Sequence, residues 1–318
     1  MKKIFRFDKA FLPCAAVSML IILSFIPAVL IRGINQSIEF KPGIIEEVRI
    51  TPSVSSDSVR KAIADIKGTD VKQIGDPEDG LFQIRAGIQE KKNATQSLLK
   101  FANIKLLKTF GMDSVQVIKT DFIGAQYSSS LIRNTIFLVS ATFLLIWLYA
   151  TIRFRWDFAL GAIIALIHDS LIMLSYIAWS GIEFSTTTIA AILTIIGYSI
   201  NATVVILDRV RENSNLYPQK GIAEIFNMAL TETMSRSLIT TITTMMASIS
   251  LYIFTTGSIK DFAEVLNIGL ISGCYSSIFI SSGFIVFLRS LKPVEKIENN
   301  EQSGIETYSP LISGGRTK

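Results

Sequence analysis

Apolar residues gather in six long runs, at about 11–31, 132–152, 158–179, 184–207, 237–256 and 263–288. At about 1.5 Å rise per residue each is long enough to cross a hydrocarbon core of about 30 Å as a helix. Between the first two runs the pattern changes to short alternating segments. A strand is predicted at 44–51, then a helix at 56–66 with Val59, Ala62, Ile63 and Ile66 on one face. Strands at 71–74 and 81–84 flank a turn rich in Gly, Asp and Pro, followed by a helix at 93–110 and a strand at 115–120. The order β-α-β-β-α-β predicts a ferredoxin-like α+β sandwich. The predicted fold is a polytopic α-helical membrane protein. Six transmembrane helices carry an extracytoplasmic ferredoxin-like domain between the first and second.

Composition agrees with a membrane protein: 49% of the 318 residues are hydrophobic, and mean hydropathy is +0.45. The net charge of +5 and pI near 9.1 do not point to nucleic acid, because the basic residues sit beside the spans. Lys2, Lys3, Arg6 and Lys9 precede the first run, and Arg153 and Arg155 lie between the second and third. Arg209, Arg211 and Lys220 follow the fourth, and Arg289 and Lys292 follow the sixth. The alternate short loops hold only Lys260. The positive-inside rule then places both termini in the cytoplasm and 32–130 outside it. The expected organisation is a cytoplasmic N-terminus at 1–10, a first helix at 11–31 and the domain at 32–130. Helices two to six occupy 131–290, and a cytoplasmic tail 291–318. The first run reads as an uncleaved anchor, since Ala28-Val29-Leu30 is a poor small-x-small cleavage site. Cys14 and Cys274 fall inside spans, so no disulfide framework is implied.

Polar residues inside the apolar runs carry the candidate chemistry. Thr187, Thr194, Asn201 and Asp208 recur every seven residues and form one helical stripe. The sole histidine, His168, stands beside Asp169 near the middle of the third run. An ionisable group at that depth is a functional candidate by default, because a bare charge costs about 2.5–3.5 kcal/mol on insertion scales. The alternative is a neutral Asp169 that serves polar groups of neighbouring helices. Gly161 and Ala165 share the face of Asp169, and Gly269, Gly273 and Ser277 form a second small-residue face. Arg236 opens the fifth run, and Asp208 is expected to form an ionic network with either Arg236 or Arg209. Ile222, Ile225, Phe226, Ala229 and Met234 predict an amphipathic segment near 217–235 lying on the inner membrane surface. The acidic residues at 76, 78 and 79 read as a solvated turn. One histidine makes a metal site improbable, no nucleotide loop or catalytic triad is visible, and no cofactor is implied.

Residues 197–213 read GYSINATVVILDRVREN, which resembles the fourth transmembrane helix of SecF in the SecD/SecF family. The family pattern runs roughly G-Y-S-[IL]-N-D-[ST]-[IV]-V-V-x-D-R-[IV]-R-E-N. The stretch Arg153-Phe154-Arg155-Trp156 through His168-Asp169, the segment Ser235-Arg236-Ser237 with its threonines, and Tyr275-Ser276-Ser277-Ile278-Phe279 are similar to family segments as well. A weaker likeness covers 38–48, with Glu39 for an aspartate and Pro42 for a glycine. The resemblance implies a half-transporter of the resistance-nodulation-division superfamily. Its implied partners are SecD, the SecY/SecE/SecG channel, YajC, exported unfolded polypeptides and membrane lipids. Its implied work is proton-driven late translocation and release of exported proteins. One departure bears on mechanism: the family aspartate after the asparagine is Ala202 here. Three readings stay open: a pump with Asp169 as carrier, a non-pumping brace for SecD and the channel, and a small-molecule or lipid exporter.

Overall fold

The computed structural model describes residues 4–40, 42–66, 69–74, 77–87 and 92–291. Asp76, Lys292 and the 302–318 tail lie outside the described residues. Among the described residues six helical spans are long and apolar enough to cross a membrane: Asp8–Arg32, Gln126–Arg153, Trp156–Ser180, Thr186–Leu216, Ile222–Phe254 and Gly257–Ser290. The chain is a polytopic helical membrane protein.

The first span is two helices, α1 (Asp8–Leu23) and α2 (Phe25–Arg32). Pro27 has no N–H to give the carbonyl four residues back, so the ladder breaks near Ser24. The hydroxyl of Ser24 caps the carbonyl of Ile21 at 2.6 Å. No side chain next to α1 caps its N-terminus. Asn227, from a distant helix, does so instead, its Oδ1 accepting from the N–H groups of Phe7 and Asp8 at 2.8 and 3.1 Å.

Between the first two spans lies a four-stranded antiparallel sheet with two helices. Its elements follow as β1 (Gly43–Ile50), α3 (Ser56–Ile63), β2 (Thr69–Ile74), β3 (Leu81–Gly87), α4 (Lys92–Phe110) and β4 (Val115–Ile123). The strand order is β2-β3-β1-β4. Alternation puts Ile44, Val48 and Ile50 of β1 with Phe82, Ile84 and Ala86 of β3 into one core, closed by Val59 and Ile63 of α3 and Ala102 and Leu106 of α4. Gly43 is required by close approach, because a Cβ there would stand 2.6 Å from the carbonyl oxygen of Ala86. The strands β3 and β4 each run three residues past the predicted ends, paired along their length with β1.

The remaining spans are α5 (Ala125–Arg153), α6 (Trp156–Ser180), α7 (Thr186–Leu216), α8 (Ile222–Phe254), and a last span built of α9 (Gly257–Tyr275), a π-helical turn over Ser276–Ser281 and α10 (Ser282–Ser290). Gly181 closes α6 in the left-handed region at φ 75°. In their most apolar windows α6 and the last span are 56% buried, against 6% for α5. The bundle is therefore organised around α6, α7 and the last span, with α5 and the first span outside. Two apolar clusters hold it. One joins Phe158, Ile206, Leu207, Phe226 and Ile285, and the other joins Met173, Ile192, Ile195, Val265 and Leu270.

Residues 217–235 do not form a separate surface helix. Only a short turn after Leu216 separates α7 from α8, which then runs unbroken through 33 residues, about 50 Å. The stripe Ile225, Phe226, Ala229 is buried in the core cluster with Phe158 and Val210. Its apolar face is thus satisfied by helices and not by headgroups.

Small residues decide the helix spacing. A Cβ on Gly161 would meet Ile285 Cγ1 at 2.4 Å, and one on Gly269 would meet Ile195 Cγ1 at 2.4 Å and Met173 Sδ at 2.9 Å. Ala165 is fully buried on the same helix as Gly161. Replacing Gly269 by Leu is expected to destabilise the chain by about 1–3 kcal/mol or more through overpacking. Gly197→Leu, at an exposed position with nothing within 4 Å of its Cβ, is expected to leave the isolated chain unchanged. Thermal unfolding of both variants in detergent checks the contrast.

Candidate functional site: a carboxyl held by three spans

Asp169 sits midway along α6 with no exposed surface. The hydroxyls of Ser199 on α7 and Ser276 on the last span donate to its Oδ2 at 2.7 and 2.8 Å. Ser272 of α9 donates to Oδ1 at 2.7 Å. His168 Nδ1 lies 3.1 Å from the same oxygen. With the proton of His168 on Nδ1, every lone-pair direction of the carboxyl is engaged.

Local sequence explains the convergence. Ser272 and Ser276 are four residues apart and share a helical face. Gly273 lies between them, and a Cβ there would come within 3.1 Å of Ser199 Cβ and 3.7 Å of Asp169 Oδ2. The missing side chain is what lets α7 and α9 close on the carboxyl. The π-helical turn begins at Ser276, and such single turns inside α-helices accompany sites where a side chain must be re-aimed. Ser277, next in sequence, faces elsewhere and donates to its own helix at the carbonyl of Cys274, 3.0 Å.

A second polar thread leaves the site toward the first span. The His168 and Tyr275 rings stand 6.0 Å apart, and the Tyr275 hydroxyl donates to the carbonyl of Cys14 at 2.7 Å while accepting from Ser18 at 3.0 Å. His168 Nε2 is buried without a described partner. Among the described residues no three His, Cys, Asp or Glu side chains come together.

The other expected network members lie elsewhere. Asn201 and Arg236 are exposed, and the Arg236 guanidinium meets no described carboxylate. Asp208 pairs with neither Arg236 nor Arg209. It takes Arg153 at the end of α5, Nη2 to Oδ1 at 2.6 Å, because α7 projects past the span and lies beside the α5–α6 turn. Arg209 instead grips Glu232 and Glu212 at 2.5 and 2.6 Å, tying α7 to α8. Ala202 is half-buried beside this face. Of the heptad stripe, Thr194 and Asn201 are exposed. The buried polar face of α7 is Thr188, Ser199 and Thr203. Ser272 and Ser276 escaped the sequence reading as site residues because serine in an apolar span reads first as packing. Their spacing of four, beside Gly269 and Gly273, was the available signal.

Glu39, the residue in the weakly similar segment, has a clear place. Its Oε2 accepts from the backbone N–H of Thr186 at 3.1 Å and from its hydroxyl at 2.6 Å. It therefore sits on the positive end of α7, where a carboxylate is favoured.

Residues 103–291 match the model of the family described as protein export membrane protein SecD/SecF, C-terminal. The chain belongs to the SecD/SecF family. It is 37% identical over 300 residues to the protein translocase subunit SecF of Rickettsia akari, covering 92% of this chain and 94% of that one. Identity to SecF of Treponema pallidum is also 37%, over 268 residues, with 76% of this chain and 62% of that one covered. The crystal structure of SecDF from Thermus thermophilus, a translocon-associated membrane protein, superposes with a TM-score of 0.78 at 28% identity. That match covers 91% of this chain and 39% of the SecDF chain, so the SecD/SecF member described here spans well under half of SecDF. A SecDF structure in a super-membrane-facing form aligns over the same share with a TM-score of 0.65.

A carboxylate in this SecD/SecF site accepts from all its neighbours, whereas a carboxylic acid must donate once. Protonation therefore makes one of these contacts change: a serine bond on another helix reverses or opens, or His168 Nδ1 becomes the acceptor. Ser276→Ala is expected to destabilise the chain by about 1.5–3 kcal/mol, the worth of a hydrogen bond to a charged group. Ser277→Ala, whose hydroxyl bonds only within its own helix, is expected to have a clearly smaller effect. Thermal unfolding of the two variants in one detergent distinguishes them.

Proposed function

We propose that this chain is the SecF half of an export-promoting complex in the bacterial cytoplasmic membrane. It pairs with SecD, neighbours the SecY/SecE/SecG channel and YajC, and uses the proton-motive force in late translocation and release of exported polypeptides. Membership of the SecD/SecF family supports the export role. The Asp169 site carries the proton-handling part, since it is a fully buried carboxyl at mid-span whose donors come from two other helices. One proton crossing about 100 mV releases about 2.3 kcal/mol, comparable to the hydrogen-bond change that protonating Asp169 would impose. The uncovered polar positions Thr194 and Asn201 on α7 favour a partner half packed there, because polar side chains in a bilayer seek protein neighbours.

In this reading the sheet and its two helices are a ferredoxin-like domain outside the cytoplasm, within 32–130, and both termini are cytoplasmic. The contacts of 35–39 with the α6–α7 turn support it as the element that senses the span. Ser37 N donates to the carbonyl of Phe184 at 2.9 Å, and Phe184 N donates to that of Asn35 at 2.7 Å. A shift of α7 at Ser199 would thus reach the domain through Glu39 and Thr186.

A second reading, a brace that carries no proton itself, draws on Ala202, which stands where the resembled family pattern has an aspartate. The two separate cleanly. With SecD and the channel in proteoliposomes, Asp169→Asn is expected to abolish force-dependent stimulation of export while the complex still assembles. Wild-type export and proton flux in that variant would leave the bracing role. The sidedness has its own check: in spheroplasts an impermeant thiol reagent is expected to label Ser53→Cys and to spare Asn215→Cys, and the reverse labelling would invert the arrangement.

A further inference from the structure

At the end of the bundle opposite the sheet domain, the α5–α6 turn, the tail of α7 and the end of α10 enclose a cavity of about 430 Å³. Four arginines line it: Arg153, Arg155, Arg211 and Arg289. Carboxylates offset only part of this charge. Arg153 is paired with Asp208 at 2.6 Å. Arg289 is paired with the buried Asp157 at 2.7 Å, and Arg155 stands 3.6 Å from the other oxygen of that same carboxyl. Arg211 is exposed and meets no described carboxylate. The nearby Glu212 and Glu232 are held by Arg209. Four positive charges thus face two negative ones, and the surplus rests on Arg155 and Arg211.

The cavity is amphipathic in a particular way. Its polar side adds Ser214 and Asn215, and its apolar side is Phe154 and Phe158. Arg153 lies over the Phe154 ring at 5.0 Å and Arg289 over the Phe158 ring at 4.8 Å, so an aromatic face supports each guanidinium in place. Large apolar residues are exposed on either side, Ile152 on α5 and Leu291 after α10. Trp156, at the first position of α6, is exposed beside them, as aromatic residues are at headgroup level. A basic pocket between spans with open apolar flanks fits a ligand with an anionic head and hydrocarbon tails.

We infer that this pocket binds the phosphate headgroup of an anionic phospholipid, with the acyl chains lying along the exposed apolar faces of α5 and α10. Arg153 and Arg289, anchored by Asp208 and Asp157, shape the pocket. Arg155 and Arg211 supply the uncompensated charge that the phosphate meets. A free anion or an acidic peptide would use the arginines but leave the apolar flanks without a role.

The test uses the full chain purified in detergent, with lipid adducts read by native mass spectrometry and lipid-dependent melting as a second readout. Phosphatidylglycerol is expected to be retained and to raise the melting temperature, with phosphatidylcholine much weaker. The variant Arg155→Gln/Arg211→Gln is expected to bind phosphatidylglycerol about thirtyfold more weakly, at about 1 kcal/mol per arginine near a membrane surface, and to melt like wild type without lipid. Arg211→Gln alone, at a residue with no described partner, is expected to lose about fivefold on the same scale and serves if the double variant unfolds. Equal phosphatidylglycerol binding by wild type and Arg211→Gln would overturn the assignment, as would phosphatidylcholine binding as tightly as phosphatidylglycerol. Stabilisation by inorganic phosphate equal to that by the lipid would make the ligand a free anion and overturn it too.

Discussion

Burying the carboxyl of Asp169 at mid-span obliges three helices to come together around it. An unsatisfied carboxyl in hydrocarbon is expensive, and no single helix can surround one with donors. The donors come instead from Ser199 on α7 and from Ser272 and Ser276 on the last span. They reach it only because Gly269 and Gly273 let the backbones approach to distances a side chain would forbid. Packing and polar satisfaction are therefore one constraint here. The glycines exist for the approach, and the approach brings the hydroxyls within reach.

That constraint also explains where the rigidity of the bundle lies. The serines that hold the carboxyl fall between the two apolar clusters along α7 and the last span, so α6, α7 and the last span are packed together on both sides of the site. Outside this centre the helices are tied mainly at their ends. Asn227 caps α1 from the far side of the chain, Arg209 binds Glu232, and Arg153 binds Asp208. The end of α7 and the start of α8 form a helical hairpin, and Phe226 of α8 packs edge-on against Phe158 of α6. A change in hydrogen bonding at the centre has stiff helices to travel along, in line with coupling through elements that have discrete arrangements.

At the opposite end the sheet domain is not merely strung on a linker. Glu39 sits on the positive end of α7, and the backbone of 35–37 pairs with Phe184. The same helix that donates Ser199 to the buried carboxyl thus begins at a residue bonded to the segment leading into β1. Movement of α7 along its axis would be felt at both places.

Much of this was legible in the chain itself. Runs of about 20 apolar residues can only be spans, because backbone polar groups in lipid must be satisfied within the segment. Alternation through β3 marked its buried face because one side had to be dry. Asp169 announced itself through the energetic penalty of its setting. Pairing was another matter. Heptad spacing put Thr194, Asn201 and Asp208 on one stripe, but spacing cannot say which stripe of α7 turns inward. The buried stripe proved to be that of Ser199 and Thr203, the side on which Gly269 and Gly273 leave room. Asp208 found Arg153 and not Arg236 because α7 continues unbroken to Leu216 and passes beside the end of α5. Sequence by itself determined which segments are helical spans and that a carboxyl lies among them. Only the tertiary structure decided which faces meet, because that choice depends on steric fit between helices far apart in the chain.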